Sequence, residues 1–600
     1  MPFDGLTISF LVRELNEQLR DQRIEKVYQP EKDELTLLVR QRKGNARLVI
    51  SANPRWGRMY LSRERRENPA QPTSFCMLLR KHLDGAKILE FAQPDFDRIV
   101  WIRVEALNDL MEWQEKVLVC EFTGKHANVV LIDPQKNLIL DGMKRYGHEL
   151  SSYREVQPGA SYIAPPKQDK IDPRGCGYGE FYQALWNHDS TALASSLFQT
   201  VNGLSPVTCK ELCLLAGIDP ETPVGECGDY ELSRLHRLIS GFEFDVLPTI
   251  VMGQDSPHEY FMFKPVSIGD RTSKTFASVN QAMDEFYRLR LAQTRLESLR
   301  VNIARNVQSI LDKAYKKLMF QEGDLAQAEK NEALRVYGEL LTAYGFQIKK
   351  GETTVKLPNF DGKGETEIPL QPHLTPQENA QRYFKQYAKA KKARHRLENL
   401  IADNREEITY LESVLLALEK ATTVEEIEDV VMELEEQGFI KPKPGRRNKP
   451  AKSAPRHFMS TGGLSIRVGK NNHQNEALTL KGSRKNDLWL HAQDYAGAHV
   501  ILELPFSVVS IEDVPTDALE EAAILAAYYS RGKDAEKVAV DYTFRGNVKK
   551  PRGSRPGMVI YDNYWTIYIN PTDSRLASLL SSAPTRESGE HSIMSPPLAP

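Results

Sequence analysis

Three stretches of this 600-residue sequence concentrate positive charge. Arg382, Lys385, Lys389, Lys391, Lys392, Arg394 and Arg396 place seven cations in fifteen residues with no acid among them. Residues 438–456 hold Lys441, Lys443, Arg446, Arg447, Lys449, Lys452 and Arg456, again without an acid. Arg545, Lys549, Lys550, Arg552 and Arg555 form the third run. Such runs can track a phosphate backbone, and the interleaved Tyr383, Phe384, Tyr387, Trp489 and Phe544 could stack on bases. Each run alone also reads as a solvated face, and Tyr383 and Tyr387 equally suit a helix seam. The whole chain has 79 Lys and Arg against 81 Asp and Glu, a net charge of −2. That balance excludes a uniformly basic nucleic-acid coat and leaves segregated patches as the route to a polyanion.

Two smaller constellations could bind RNA. Asp97 and Arg98 are adjacent at a loop-to-strand edge after Pro94. Successive strand side chains point to opposite faces, so an ion pair between them would be strained. Either each has a structural partner elsewhere, or Arg98 meets a phosphate and Asp97 a base or ribose donor. Val201-Asn202-Gly203-Leu204-Ser205-Pro206 leads into a helix over 207–216. A Gly turn entering a helix N-terminus can hold a phosphate through backbone N–H groups. The same residues also spell an ordinary helix start, with Ser205 as N-cap and Pro206 at the first helical position.

No constellation reads as a catalytic centre, a cofactor site or a metal site. There is no Walker loop, no H-E-x-x-H and no nucleophile elbow. Cys209 and Cys213 lack a second pair at zinc-finger spacing and read as core thiols. Pro2 could act as an N-terminal amine nucleophile of glycosylase type, but Phe3 stands where such enzymes have Glu. The expectation is a protein that is not an enzyme.

These groups need elements to hold them. Residues 1–172 read as mixed α and β, with helices over 11–19 and 75–83 and strands over 34–39, 48–51, 99–104, 115–122 and 128–132. Residues 173–278 carry short helices around the Gly203 turn, the pattern of a helix-hairpin-helix module. Residues 279–437 are dominated by two long helices. In the second, Tyr383, Tyr387, Ala390, Arg394, Leu397, Ile401, Asn404, Ile408, Leu411, Leu415 and Leu418 alternate by three and four, a coiled-coil seam. The short Gly- and Pro-containing insert 350–374 favours an antiparallel hairpin with a small cap over a parallel dimer. Polar Asn404 and Arg394 would fix register at some cost in packing. A basic linker over 438–456, a compact α/β unit over 457–571 and a disordered Ser/Pro-rich tail over 572–600 complete the expectation, a multidomain α+β chain. No targeting or membrane segment is visible, and a cytoplasmic protein is expected.

Longer motifs carry a resemblance. MPFDGLTISFLVREL, FCMLLRKHLDGAKI, DRIV and EFTGKHANVVLID resemble the N-terminal NFACT domain, and LTPQENAQRYFKQYAKAKKA its coiled-coil section. LSIRVGKNNHQNEALTLKGSRKNDLWLHAQDYAGAHVIL and KKPRGSRPGMVIYDN resemble the NFACT RNA-binding domain. Together they resemble the RqcH/NEMF family of NFACT-domain proteins, also described as fibronectin-binding protein A-like. The resemblance implies a ribosome-associated quality-control factor. Such a factor binds a 50S subunit carrying peptidyl-tRNA, contacts rRNA, recruits alanyl-tRNA and supports template-free alanine tailing, with a small helper protein as a further partner. It places the family's tRNA-engaging pair on Asp97 and Arg98, and a second tRNA surface on the loop with Glu121, Lys125 and His126. It suggests RNA or ribosome contacts at Gly203, Ser205, Lys470, Asn471, Asn472 and His491, and the basic runs add Lys385, Lys389, Lys391, Lys392, Lys549, Lys550 and Arg552 as further candidates. Asn471 and Asn472 are expected to be exposed and Trp489 to be core. A surface adhesin that binds fibronectin is the competing class; the lack of a visible signal peptide or cell-wall anchor weighs against it.

Overall fold

The computed structural model describes residues 3–582 apart from 43, 108–111, 150, 152, 254–255, 270, 361, 363 and 443–452, and the side chains of 328–330. The chain divides between Gln293 and Thr294 into two compact units.

The first unit opens with α1 (Gly5–Leu19). It starts six residues before the sequence pattern suggests, because Asp4 caps it, accepting from the Thr7 N–H at 3.0 Å. A nine-stranded sheet follows: β1 (Arg23–Glu31), β2 (Glu34–Gln41), β3 (Gly44–Ser51), β4 (Arg58–Ser62), β5 (Lys87–Ala92), β6 (Ile99–Leu107), β7 (Trp113–Glu121), β8 (Asn128–Asp133) and β9 (Leu138–Gly142). Their order is β4-β3-β2-β1-β5-β6-β7-β8-β9, with every neighbouring pair antiparallel. Helix α2 (Ser74–Leu83) lies between β4 and β5 in the chain. Helices α3 (Tyr178–Trp186), α4 (Leu193–Thr200), α5 (Pro206–Leu215) and α6 (Asp229–Ser240) come next, then a small sheet of β10 (Thr249–Met252), β11 (Pro257–Phe261) and β12 (Ser273–Thr275).

The change in sequence character at 172/173 does not separate two cores. Leu11, Phe96 and Val100 belong to the same buried cluster as Leu197, Leu212 and Leu235. Cys209 and Cys213 are buried, unbridged members of it.

Helix α7 (Val279–Glu329) begins in the first unit and supplies one arm of the second. The other arm is α9 (Pro376–Lys420), opened by a Thr375/Glu378 capping box and about 68 Å long at 1.5 Å per residue. The arms are antiparallel: Arg405 pairs with Glu322, whereas Tyr315 donates to Glu412. Asn404 is buried in the seam as expected, donating to the Ala314 carbonyl at 3.0 Å and to Gln321 at 3.1 Å. Arg394 is exposed and pairs with Glu398 instead of entering the seam. The cap comprises α8 (Ala333–Tyr344) and a hairpin of β13 (Thr354–Pro358) and β14 (Glu365–Pro369). Tyr383 packs on Tyr337 in this cap.

Helix α10 (Val424–Glu436) folds back beside α9. The expected basic linker falls largely on 443–452, outside the described residues. Of its ends, Phe439 stacks on Tyr410 at 5.7 Å, and Arg456 opens a strand. The final domain is an antiparallel sheet of β15 (Arg456–Met459), β16 (Ser465–Val468), β17 (Leu488–Ala492), β18 (Val500–Leu502), β19 (Val538–Phe544) and, after a two-residue pair β20 (Val548–Lys549) and β21 (Ile560–Tyr561), β22 (Trp565–Ile569). The domain's helices are α11 (Asn472–Leu480) and apolar α12 (Thr516–Tyr528), which supplies one side of the core. The segment from Thr572, expected to be disordered, contains α13 (Arg575–Ser581). Leu579 is buried in that core, and Arg575 pairs with Glu520 at 2.7 Å.

Candidate nucleic-acid interface

Asp97 and Arg98 sit between the turn Pro94–Phe96 and β6. That turn holds two successive left-handed residues, Asp95 at φ 50° and Phe96 at φ 54°. Each costs about 1–2 kcal/mol for an L-residue, so surrounding packing must enforce them. The Phe96 ring is fully buried and stacks on Phe242. Its carbonyl lies against the backbones of Gly5 and Gly203, where a Cβ on either glycine would collide with it. The Gly5 N–H donates to the Gly203 carbonyl, which joins the start of α1 to the α4–α5 turn. Gln93 adds a clamp, donating to the carbonyls of Gly5 and Asp97, both at 2.9 Å.

Asp97 and Arg98 do not pair through their side chains. One Asp97 oxygen accepts from the Arg98 backbone N–H at 2.6 Å. Both side chains are half-buried and line a cavity of ≈ 180 Å³ shared with Gln168, Lys170, Phe198 and the Asn202–Pro206 turn. The sequence pointed to Asp97–Arg98 and to the Gly203 turn separately; the fold makes them two walls of one hollow. Lys170 and Gln168 carried no sequence signal, lying in a short run of mixed polar residues, Lys167 to Lys170, after a Pro pair.

The Gly203 turn does not offer its helix N-terminus to a phosphate. Ser205 is buried and caps α5, accepting from the Thr208 N–H at 3.2 Å. The Asp4 carboxylate already occupies the anion position, accepting from the Ser205 N–H at 3.2 Å and the Thr208 hydroxyl at 2.6 Å. Gly203 is required for close backbone approach. The ordinary helix-start reading therefore describes Gly203 and Ser205.

The loop 121–126 splits in role. Glu121 has no exposure; it accepts from Arg154 at 2.7 Å and from the Tyr162 hydroxyl at 3.0 Å. A carboxylate so engaged supports the loop from inside and does not face a tRNA. Lys125 and His126 are exposed beside it.

On the arm, Lys385, Lys389, Lys391 and Lys392 are all exposed, and none pairs with a carboxylate among the described residues. The final domain behaves differently. Lys470 pairs with Glu426 of α10 at 2.6 Å. Asn471 and Asn472, expected to be exposed, are buried. Asn471 caps α11, accepting from the Gln474 N–H at 2.8 Å. Asn472 donates to Ser413 at 2.8 Å and to Glu433 at 3.0 Å, fastening the domain to the base of the helical arm. Glu433 is fully buried, and burial raises its pKa; Tyr410 also donates to it at 2.8 Å. Arg555 packs over Tyr410 and Phe439. This motif is domain-docking machinery, a role the sequence concealed because its partners lie in α9 and α10.

Trp489 is fully buried, as expected. His491 stacks on it at 5.8 Å, and burial lowers the His491 pKa to about 4, so the ring is neutral and offers no cation to RNA. Lys550 pairs with Glu476 at 2.6 Å. Lys549 and Arg552 remain exposed.

A family model described as NFACT N-terminal and middle domains matches residues 4–453, and one described as NFACT protein RNA binding domain matches 455–562. The chain belongs to the RqcH family of NFACT proteins. It is similar to the Rqc2 homolog RqcH of Bacillus subtilis, 33% identical over 97% of this chain and all of that protein. It is likewise similar to the Rqc2 homolog RqcH of Streptococcus pneumoniae, 35% identical over 97% of this chain and all of that one. A solved structure of the N-terminal part of a fibronectin/fibrinogen-binding protein from Streptococcus suis is 27% identical, covering 48% of this chain and 99% of that chain with a TM-score of 0.41. As a member of the RqcH family with the family's RNA-binding domain, the chain is an RNA-binding protein of ribosome quality control. No helix among the described residues is long and apolar enough to cross a membrane.

Proposed function

We propose that this protein grips a 50S subunit still blocked by peptidyl-tRNA, recruits alanyl-tRNA and supports template-free addition of alanine to the stalled chain. The observation that carries this reading is the hollow bounded by Asp97, Arg98 and the Asn202–Pro206 turn. It presents a guanidinium with no carboxylate partner among the described residues, on a backbone whose two left-handed residues are enforced by packing. Peptide transfer would take place in ribosomal RNA, so the chain needs no nucleophile and is not itself an enzyme. Its contribution is to hold two RNA-bound reactants in place, removing translational and rotational freedom before reaction. The long arm supplies reach, and its exposed lysines supply salt-sensitive affinity for rRNA. A cytoplasmic location and a small helper protein fit this role.

The test is Asp97→Ala combined with Arg98→Ala, assayed for alanine tails on stalled chains. The variant should lose tailing while still melting as a folded protein and cosedimenting with the large subunit. Normal tailing in the double variant would remove the site assignment.

A further inference from the structure

The hollow beside Arg98 contains a second cation. Lys170 reaches it because Ile171 pairs with the α4–α5 turn: the Ile171 N–H donates to the Thr200 carbonyl at 3.0 Å, and the Asn202 N–H to the Ile171 carbonyl at 2.9 Å. Lys170 is half-buried. It lies 4.4 Å over the Phe198 ring and donates to the Phe198 carbonyl at 2.8 Å. Burial holds its pKa below the ordinary lysine range, and the Arg98 charge pushes the same way while Asp97 opposes it.

The charges around the hollow are unevenly satisfied. Asp4 is engaged by the Thr7 and Ser205 N–H groups and the Thr208 hydroxyl. One Asp97 oxygen is engaged by the Arg98 N–H. Neither Arg98 nor Lys170 has a carboxylate within 4 Å among the described residues. Two like charges thus line one hollow and disfavour each other, with the Asp97 carboxylate beside them offsetting part of that repulsion and neither cation in an ion pair among the described residues. An anion entering the hollow would relieve that repulsion and be stabilised by both. Inside a nucleic-acid site the anion of matching chemistry is a backbone phosphate.

We propose that Lys170 and Arg98 clamp one phosphodiester of the bound tRNA between them. The proposal rests on the reading that Asp97–Arg98 engages tRNA. It adds a residue to that site and states that the two cations share a single phosphate.

The experiment measures tRNA affinity of the full-length protein between 50 and 200 mM salt for Arg98→Ala, Lys170→Met, Lys170→Arg and the Arg98→Ala/Lys170→Met double variant. Methionine keeps the aliphatic stem on Phe198, and thermal melting checks that each variant is folded. Lys170→Met should weaken binding roughly ten- to a hundredfold, the range for a charged hydrogen bond. It should reduce the log–log salt slope by about 0.7–0.9, the value of one phosphate. The double variant should lose little more than either single one, and Lys170→Arg should restore most of the affinity. Wild-type affinity in Lys170→Met alongside weak binding in Arg98→Ala would overturn the clamp and leave the tRNA reading standing. Wild-type affinity in Arg98→Ala as well would remove both. Fully additive losses would show two separate phosphates and overturn the shared clamp.

Discussion

Replacing Gly203 with alanine tests whether the backbone junction beneath Asp97–Arg98 sets the site. Gly203 has φ +73°, so any L-residue there incurs about 1–2 kcal/mol. A Cβ would also collide with the Phe96 carbonyl and stand 2.9 Å from the Phe96 ring. Overpacking of that kind costs about 1–3 kcal/mol, because a carbonyl held by two left-handed residues cannot swing aside as a side chain would. The sum is about 2–5 kcal/mol, taken from contacts that also position Asp97 and Arg98. Gly217→Ala separates the two terms. Gly217 has φ +81°, but its nearest neighbour would be the Arg234 side chain at 3.7 Å, so only the conformational term applies. Thermal melting and tRNA affinity are read on both variants. Gly203→Ala should melt lower than Gly217→Ala and bind tRNA at least tenfold more weakly than wild type, whereas Gly217→Ala should bind normally. Equal melting and equal tRNA affinity in the two variants would refute the claim that close packing at Phe96 builds the site.

Glu121→Ala should lower stability by about 3–5 kcal/mol, since it strands the buried Arg154 guanidinium, and melting measures the loss. Near-normal melting with lost tRNA binding would put Glu121 back at the interface. His499 is buried with its pKa lowered by burial to about 3, against 6.5 when unfolded. The unfolded chain therefore takes up the proton that the folded ring refuses, and stability present above 6.5 is lost as pH falls from 6.5 toward 3. The slope is about 1.4 kcal/mol per pH unit for this group, so denaturant unfolding followed through Trp489 should weaken over that window, and His499→Asn should flatten the dependence. Replacing Lys385, Lys389, Lys391 and Lys392 with glutamine should weaken cosedimentation with the large subunit and reduce its salt sensitivity; unchanged cosedimentation at every salt concentration would mark that face as merely solvated.

The sequence disclosed what depends on local pattern. The three-four spacing from Ile401 to Leu418 gave the arm, and Asn404 in that spacing gave its register. Asp97–Arg98 stood out because two opposite charges at adjacent strand-edge positions cannot satisfy each other. The losses come from long-range partners. Glu121 reads as a loop acid until Arg154 and Tyr162 close over it. Lys470 and Asn472 read as surface polar groups until Glu426, Ser413 and Glu433 meet them. Strand β1 escaped notice because two register shifts interrupt its pairing with β2 and Pro30 interrupts its pattern. Helix α13 lay hidden because the tail as a whole is rich in Ser and Pro, although Leu576, Ala577, Leu579 and Leu580 fall within it; Arg575 pairs with Glu520 and Leu579 enters the core. Lys170 gained meaning only when the α4–α5 turn brought it beside Arg98.

The central claim is that this chain holds and orients RNA while bond formation occurs in the ribosome. Purifying the native protein from its own cells and sequencing the RNA bound to it addresses that claim most directly. Transfer RNA enriched in alanine acceptors, together with large-subunit rRNA, is the predicted result; a preparation carrying neither would contradict the account.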